Sequence, residues 1–506
     1  MADARCGDAV SGLRLLGTNS AIYTATNFLQ KGTAFLLLPL YTLYLDPAAY
    51  GVLAIVTAIN GFLSLAFTLN LMSAVTRFYF EYRDQPAMLA EFWGSVLTFV
   101  MLLSVVLGAL MLLVGQWLLA PIVGDVAFYP YIALGVLTAI FQPFFTTFLS
   151  VLQTRNEGMK YAVLSLANFT LTTALTIALV VLLGWGVTGA LVATLAATVV
   201  FFIVSLWMMR AELRINLRWQ HLRPALAYSL PQVPHVLSSQ TTAIADRLIL
   251  SNRLGASAVG LYSVGAMVAM AVEVAAQSVN RAYVPLSMHA LQQRTPELLG
   301  NIRVMGSLIV AGFCLVGIGV GTFARELVAL ATAPEFAAAA TVIPVLVFAR
   351  VAGAIYYVLV NVLFFDRDAV KWLPVGTFAG AALNVAGALL LIPPYGLMGA
   401  AFAALGSQIM ATVLVGAIAR RFDPVRWQYW RYACAFTATF AGTWLLSDLQ
   451  PDPWLLTLSV KLAGILLLAA ALGAILWRRP LILFEAGLSV LRRQFGEAGA
   501  MFRRAA

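Results

Sequence analysis

The stretch LGASAVGLYSVG (residues 254–265) is a divergent copy of LDPAAYGVLAIV (residues 45–56), with Gly260 aligned to Gly51. Two further pairs of segments match at nearly the same offset of about 210 residues. They are GVTGALVATL (186–195) with GLMGAAFAAL (396–405), and RNEGMKY (155–161) with RDAVKW (367–372). Matches that keep one order and one spacing predict an internal duplication, which limits the folds that the chain can adopt.

The composition around these segments is typical of a membrane protein. Of the 506 residues, 62% are hydrophobic and 10% are charged, whereas soluble domains average about 45–50% and about 25%. Apolar runs recur along the whole chain, and each is long enough to cross roughly 30 Å of hydrocarbon as a helix. We therefore predict an all-α polytopic membrane protein with about 14 transmembrane helices. The predicted spans are approximately 19–45, 51–75, 92–119, 129–152, 161–183, 186–209, 225–250, 256–280, 303–324, 337–363, 373–393, 396–419, 430–447 and 455–477.

The offset of the repeat sets the arrangement of these spans. It contains six spans, and an even number returns the chain to the same side of the bilayer, so the two halves are parallel repeats. Such repeats are related by an axis along the membrane normal and line a substrate path at their interface. We predict two six-helix lobes around a central cavity, followed by two extra C-terminal helices. The predicted segments are a cytoplasmic N-terminus (1–18), an N-lobe (19–209), an amphipathic cytoplasmic linker (210–224), a C-lobe (225–419), spans 13 and 14 (430–477) and a basic amphipathic cytoplasmic tail (478–506).

The basic residues predict the orientation of the chain. Most of the 31 lysines and arginines fall in the connectors and termini on one side, whereas Arg253 and Arg325 fall on the other. The positive-inside rule then places both termini in the cytoplasm. This distribution explains the net charge of +10 without nucleic acid as a partner.

Several chemical functions are disfavoured by the sequence. The three cysteines are widely spaced and the three histidines lack metal-ligand spacing, so we predict neither a disulfide framework nor a metal site. The sequence contains no G-x-x-x-x-G-K-[ST] motif, which disfavours ATP-driven pumping by this chain. We predict no cofactor and no enzymatic activity.

Four of the basic residues in or at the end of apolar spans are candidate substrate-binding residues. Lys31 is near the middle of span 1, Arg350 is in span 10, Arg77 ends span 2 and Arg247 is in span 7. An ionisable side chain in hydrocarbon costs a few kcal/mol or more, so it normally faces a polar interior. For Lys31 and Arg350, two interpretations stay open: each lines a central cavity, or each forms an internal ion pair.

Two acidic residues accompany these basic residues in the spans. Asp246 is adjacent to Arg247, and neighbours on a helix point about 100° apart, so they cannot form an ideal ion pair with each other. They form either a gate or a helix-packing pair near the outer end of span 7. Glu273 lies deeper, in span 8. It is either a protonatable coupling group or part of a structural salt bridge.

Prolines interrupt the first span of each predicted lobe. Pro39 lies in span 1, and Pro231 and Pro234 lie at the start of span 7. Proline removes a helix hydrogen bond and kinks the helix. We interpret these three residues as candidate hinges, with a static kink as the alternative.

Four segments together resemble the polysaccharide and lipid-linked oligosaccharide flippases of the multidrug/oligosaccharidyl-lipid/polysaccharide exporter superfamily. The residues that carry the resemblance are NFLQKGTAFLLLPLYTLYLDPAAYGVLAIVTAI (27–59), ADRLILSNRLGASAVGLYSVG (245–265), the Pro-Leu-Ser of AYVPLSMHA (282–290) and the charged turn before span 11. The pattern extends over roughly residues 15 to 420. Its most specific piece is the stretch that contains Asp246 and Arg247.

The resemblance implies a transporter that performs no covalent chemistry. O-antigen, capsule and exopolysaccharide members of this family move an undecaprenyl-pyrophosphate-linked oligosaccharide across the bacterial inner membrane. It further implies that Lys31 and Arg350, with Arg77 or Arg247, compensate the anionic headgroup inside the bilayer. The implied partners are the lipid-linked oligosaccharide, membrane lipids, a polysaccharide polymerase and a chain-length regulator.

Three alternatives remain at this stage. A lipid II flippase would also have 14 spans and a cationic cavity, so the sequence separates it poorly. A multidrug-type antiporter of small molecules typically has 12 spans and acidic cavity residues. A membrane-embedded glycosyltransferase or polymerase needs acidic catalytic residues on a sizeable aqueous loop, which no connector here offers.

Overall fold

The computed structural model describes residues 26, 37–210, 214–366, 368–449 and 454–476. These residues are almost entirely helical and contain no strand, which confirms the predicted all-α class. The helices up to the second repeat are α1 (37–44), α2 (Pro47–Thr68), α3 (Leu71–Tyr82), α4 (Pro86–Val123), α5 (Ala133–Thr154), α6 (Gly158–Thr176), α7 (Gly186–Met209), α8 (Trp219–Ser229) and α9 (Val233–Leu254). They are followed by α10 (Ala256–Gln293), α11 (Pro296–Thr322), α12 (Ala324–Ala331), α13 (Ile343–Phe365), α14 (Leu373–Tyr395), α15 (Leu397–Phe422), α16 (Tyr429–Ser447) and α17 (Trp454–Leu476).

Short turns of other helix types extend or join these helices. A π-helical segment, Phe128–Ile132, leads into α5, and a second, Ile177–Leu182, continues α6. Three 3-10 segments are Leu230–Gln232, Pro334–Thr341 and Val370–Trp372.

Eleven of the described helices are long and apolar enough to cross a membrane. They coincide with eleven of the predicted spans, so the protein is a polytopic membrane protein. The predicted spans outside this set are span 1, of which only residue 26 and residues 37–45 are described, and spans 7 and 13, which form α9 and α16.

Local sequence explains where two of the helices begin. Asp46 caps α2, because its carboxylate accepts a hydrogen bond from the Ala49 amide at 2.7 Å, and Pro47 occupies the first turn. Thr295 caps α11 in the same way through the Leu298 amide at 3.4 Å, and is again followed by proline. A capping side chain and a proline in the first turn both favour helix initiation.

Predicted span 2 is two helices rather than one. Leu69 and Asn70 adopt left-handed backbone conformations, with φ values of 47° and 56°, and separate α2 from α3. Asparagine adopts this conformation more readily than most residues with side chains. The side-chain Nδ2 of Asn70 donates a hydrogen bond to Gln232 Oε1 at 3.3 Å. The predicted continuous helix over 51–75 is therefore wrong at this point.

Contacts within the chain define two compact units, Met1–Gly260 and Leu261–Ala506. In the first unit, α5 packs against α2, α4 and α7, and α2 packs against α9. Aromatic side chains from α3, α4 and α5 form one core cluster, including Phe78, Phe92 and Phe144. The sequence analysis assigned α9 to the C-lobe, whereas α9 packs against α2 within this first unit. The predicted lobe boundaries remain a prediction.

The described part of the linker is held on the start of α4. Arg218 and Arg214 lie 2.5 Å and 3.7 Å from the Glu91 carboxylate, and His221 Nε2 lies 3.7 Å from it. One turn along α4, Ser95 hydrogen-bonds the Asn216 side chain. Residues 214–218 are thus attached to the first unit by both charged and neutral hydrogen bonds.

In the second unit, α13 is the most enclosed of the membrane-length helices. It packs against α11, α15 and α16, and α14 packs along α15. The short helix α12 joins this bundle to the C-terminal pair of helices through two ion pairs. Arg325 contacts Asp448 at 2.8 Å, and Glu326 contacts Lys461 of α17 at 2.5 Å.

The two later segments of the repeat have matching local structure in the two units. Gly186 is the first residue of α7 and the aligned Gly396 is the N-cap of α15, with φ values of 55° and 58°. Lys160 pairs with Glu157 at 2.6 Å, and the aligned Lys371 pairs with Asp368 at 2.7 Å, both three residues apart. The hydrogen bond from Lys371 lowers the pKa of Asp368. Equivalent turns at equivalent positions support the predicted duplication.

The first segment of the repeat is in contact with its own copy. A Cβ atom added to Gly51 would overlap the main-chain oxygen of Ala256, and one added to Gly260 would overlap that of Pro47. Pro47 aligns with Ala256 as Gly51 aligns with Gly260, so each repeat presents the same pair of residues to the other. All four residues belong to the first unit.

Candidate functional site

One ion pair inside the spans joins Arg350 to Glu273. Arg350 Nη1 on α13 lies 3.0 Å from Glu273 Oε2 on α10, and their side chains are 39% and 31% exposed. The sequence analysis selected both residues separately, and the structure brings them together. The ion-pair interpretation is thus confirmed for both, while lining of a cavity by Arg350 and a coupling role for Glu273 stay predictions.

Polar side chains extend this pair into a stripe between α10 and α13. Gln277 donates to Glu273 at 3.2 Å, and Asn361 donates to Asn280 at 3.4 Å. The spacings of four and three residues on α10 place these groups on one face of the helix. Tyr357 of α13 interacts electrostatically with both Glu273 and Arg350. We call this set the α10–α13 stripe: Glu273, Gln277, Asn280, Arg350, Tyr357 and Asn361.

Arg350 lies at an accessible position on an otherwise enclosed helix. The neighbouring residues Ala349 and Val351 are buried, so Arg350 belongs to the accessible edge of an otherwise enclosed helix. A charged side chain facing hydrocarbon is costly. An accessible arginine and glutamate within membrane-length helices are therefore expected to line an aqueous surface.

The sequence analysis missed the neutral members of the stripe on α10. Gln277 and Asn280 follow Glu273 by four and seven residues, and this helical periodicity was the available signal. Asn361 is almost fully buried, and a neutral side chain in an apolar span gives no charge signal in the sequence. Its partner could not be found from sequence, because Asn280 lies on a different helix.

Asp246 and Arg247 lie within α9, which ends at Leu254 rather than at the predicted residue 250. Asp246 is buried and Arg247 is partly buried. Arg247 interacts electrostatically with Tyr50 of α2, the helix against which α9 packs. The pair is thus placed at the packing surface of the first unit, which supports the helix-packing interpretation; the gate remains a prediction.

Arg77 occupies the middle of α3 and is exposed. Its guanidinium lies 5.0 Å from the centre of the Tyr228 ring and 5.8 Å from that of Phe78. Cation–π contacts of this kind hold an arginine in place while leaving its hydrogen-bond donors accessible. An anion-binding role for Arg77 stays a prediction.

The candidate hinges lie where helices begin or bend. Pro231 is in the 3-10 segment between α8 and α9, and Pro234 is in the first turn of α9, so the predicted break at the start of span 7 is present. Pro39 lies within α1, where Thr42 donates to the Leu38 carbonyl at 3.0 Å. Bending at these prolines stays a prediction.

Some of the predicted features lie outside the described residues. Lys31 and the amphipathic tail at 478–506 lie outside the described residues. Among the residues that are described, no three His, Cys, Asp or Glu side chains come together as a metal site requires.

Comparison with known proteins places the chain in a family. Residues 16–290, more than half of the chain, match the family described as polysaccharide biosynthesis protein. The chain belongs to the polysaccharide biosynthesis protein family. This family member is 26% identical over 285 residues to the Haemophilus influenzae protein named Lsg locus putative protein 1, covering 54% of this chain and 67% of that protein. The resemblance predicted from sequence is confirmed.

Solved structures show the same fold. The structure described as lipid II flippase MurJ in an inward closed conformation superposes with a TM-score of 0.68 at 14% identity, over 91% of this chain and 99% of that one. An inward-facing multidrug resistance MATE family transporter of the MOP superfamily gives 0.61 at 17% identity, over 80% of this chain and 95% of the other. The polysaccharide biosynthesis family member thus shares the fold of transporters, including a flippase.

Proposed function

We propose that this protein is a flippase that moves a lipid-linked oligosaccharide from the cytoplasmic to the outer leaflet of a bacterial inner membrane. The substrate carries an undecaprenyl-pyrophosphate group, and the product feeds the synthesis of O-antigen, capsule or exopolysaccharide. Its termini are cytoplasmic, and a polymerase and a chain-length regulator act on the glycan it delivers. Family membership supports the class of substrate, and the shared transporter fold supports movement rather than chemistry.

The accessible Arg350–Glu273 pair is the observation that carries this proposal. A pyrophosphate group needs a compensating cation in a low-dielectric environment. Arg350 supplies a guanidinium that binds phosphate oxygens in bidentate fashion. Glu273, at 3.0 Å, stabilises that guanidinium whenever no anion is bound.

The pair also provides a way to alternate between two states. The pyrophosphate and the Glu273 carboxylate compete for the same guanidinium. An incoming anion displaces the carboxylate from Arg350, and the carboxylate takes the guanidinium back when the anion leaves. This exchange needs no separate ion site.

The membrane potential assists the transfer in the proposed direction. When the cell interior is negative, moving one negative charge outward releases about 2.3 kcal/mol per 100 mV. The field therefore favours export of the anionic headgroup.

Deletion of the gene, followed by complementation, tests the proposal. We expect the deletion strain to lose one surface polysaccharide and to retain its carrier-linked unit on the cytoplasmic leaflet. The wild-type gene should restore export, and Arg350→Gln should restore it about tenfold less well, since one charge-assisted contact to the anion is lost. Lys371→Gln, which removes a cation from an exposed turn, is the matched control and should complement fully.

Other outcomes point to the alternative functions. Accumulation of the peptidoglycan precursor instead of a polysaccharide unit would assign the protein to lipid II. Unchanged polysaccharides together with altered sensitivity to small cationic compounds would assign it to drug export. Full export by Arg350→Gln at the wild-type protein level would remove the role of the Arg350–Glu273 pair.

A further inference from the structure

The second unit contains a groove that the proposed transport path does not use. It encloses about 510 Å³ between α13, α15 and α16, a volume within the roughly 300–1,000 Å³ of small-molecule sites. The lining is almost entirely apolar and includes Ile355, Val413 and Phe436. Gly416 lies at the same surface and keeps it open, because a side chain there would approach Leu359 and Tyr429.

One end of the groove is cationic and aromatic. Arg420 lies in the last turn of α15, and Tyr429 and Trp430 lie in the first turn of α16. The connector between these helices is on the side predicted to be cytoplasmic. Tryptophan, tyrosine and arginine are the residues that collect at the level of lipid headgroups.

The other end reaches into the span. Ile409 lines the groove eleven residues before Arg420, which corresponds to a depth of about 16 Å along a helix. That is roughly half of the hydrocarbon thickness. The groove therefore runs from the headgroup level toward the middle of the bilayer, as an acyl chain does.

The groove opens on the outer surface of the unit. The side chains at its edge are well exposed, with Val413 at 59% and Trp430 at 75%. An apolar opening of this kind in a membrane protein is covered by lipid.

The charge at the mouth is available to a ligand. The Arg420 guanidinium lies 5.8 Å from the centre of the Tyr429 ring. The nearby carboxylate of Asp423 is already occupied: it accepts hydrogen bonds from the Tyr429 hydroxyl and from the Val425, Arg426 and Trp427 amides, at 2.8 to 3.1 Å. In the described part of the chain, Arg420 forms no salt bridge, so its donors can reach a phosphate.

We propose that this groove binds one anionic phospholipid of the cytoplasmic leaflet. One acyl chain fills the apolar part, the phosphate contacts Arg420, and Trp430 covers the glycerol region. The lipid joins α16, which lies outside the internal repeat, to α13 and α15, which lie inside it. This site is independent of the proposed transport function, since it shares no residue with the α10–α13 stripe.

Native mass spectrometry of the full-length protein in a mild detergent tests the site. The protein is titrated with phosphatidylglycerol and with phosphatidylcholine that has the same acyl chains. We expect the first phosphatidylglycerol to bind the wild type about tenfold more tightly than phosphatidylcholine, because only its headgroup is anionic. Arg420→Gln should abolish this preference, whereas Arg421→Gln, an exposed neighbour that does not line the groove, should keep it.

A second pair of variants tests the apolar part. Thr437→Trp and Ala433→Phe both fill the groove from exposed positions, and both should reduce the binding of either lipid. Their thermal unfolding curves verify that they fold. Equal affinity of the wild type for the two lipids, or equal losses in Arg420→Gln and Arg421→Gln, would overturn the proposal. So would recovery of the polyisoprenoid carrier instead of a phospholipid from the groove. Loss of polysaccharide export in any strain does not bear on these outcomes.

Discussion

Arg350 and Glu273 lie 3.0 Å apart and are each about one third exposed, so each compensates the charge of the other while both stay accessible. An anion that binds Arg350 must therefore displace the Glu273 carboxylate from the guanidinium. This relationship distinguishes the site from a permanently free arginine, which would bind anions at all times.

Replacing the competitor should change the export rate. We expect Glu273→Gln to bind anionic substrate more tightly than the wild type, because the carboxylate that competes for Arg350 is absent. Release should become slower, so the export rate should fall. Measurement of substrate binding and of export in vesicles tests this prediction, and an unchanged pH profile of export in Glu273→Gln would rule out proton coupling through this residue.

The buried lysine of α17 should depend strongly on its partner. Lys461 is fully buried and contacts Glu326 at 2.5 Å. Glu326→Gln leaves the ammonium without its carboxylate, and we expect a loss of about 3 kcal/mol in unfolding free energy, at the low end for buried pairs because Glu326 is partly exposed. Thermal unfolding in detergent measures the loss.

Two further variants serve as controls for this pair. The double variant Glu326→Gln/Lys461→Met removes both charges and should recover most of the stability. Arg325→Gln breaks the neighbouring exposed pair with Asp448 and should cost less than about 1 kcal/mol. If Glu326→Gln unfolds like the wild type, the pair does not anchor α17.

A methyl group at Gly51 should disturb the contact between the repeats. Gly51→Ala places Cβ against the main-chain oxygen of Ala256, and we expect a destabilisation of about 2–3 kcal/mol from overpacking. Gly61→Ala, also in α2, is the control: its Cβ would come no closer than 3.7 Å to a neighbour, so the higher helix propensity of alanine should leave stability equal or higher. Comparable melting temperatures for the two variants would contradict this prediction.

The linker should become easier to cleave when Glu91 is neutralised. Glu91→Gln weakens the contacts to Arg214, Arg218 and His221. We expect trypsin to cut the linker about five to ten times faster, because local opening costs roughly 1 kcal/mol less. Glu81→Gln, at an exposed position of the same unit, should be cut at the wild-type rate. Equal rates in both variants would mean that the linker is held by its other contacts.

Hydropathy and periodicity were sufficient for the fold class and for the location of eleven of the predicted spans. They failed at Leu69 and Asn70, because a left-handed turn in an apolar segment leaves no trace in hydropathy. They also placed the end of span 8 at residue 280, whereas α10 continues to Gln293. Hydropathy follows the hydrocarbon boundary, and a helix can continue beyond it.

The candidate site was predictable only one residue at a time. Arg350 and Glu273 were identified because a charge in an apolar span is costly. Their pairing required the packing of α10 against α13, which depends on contacts between residues distant in sequence. The lipid groove had no sequence signal, since apolar residues that line a groove resemble those that fill a core.

The reciprocal contact of Gly51 and Gly260 restricts how the two repeats can diverge. Each glycine meets main-chain atoms of the other repeat, and no substitution at the facing residue can remove a main-chain oxygen. Compensating mutations are therefore unavailable, unlike at a contact between two side chains. The contact is also self-complementary, as in an isologous dimer, where the same surface serves both partners. The rest of the two halves can diverge in sequence. A side chain at Gly51 or Gly260, in contrast, requires a movement of the backbone, so these two positions keep the symmetry of the duplication.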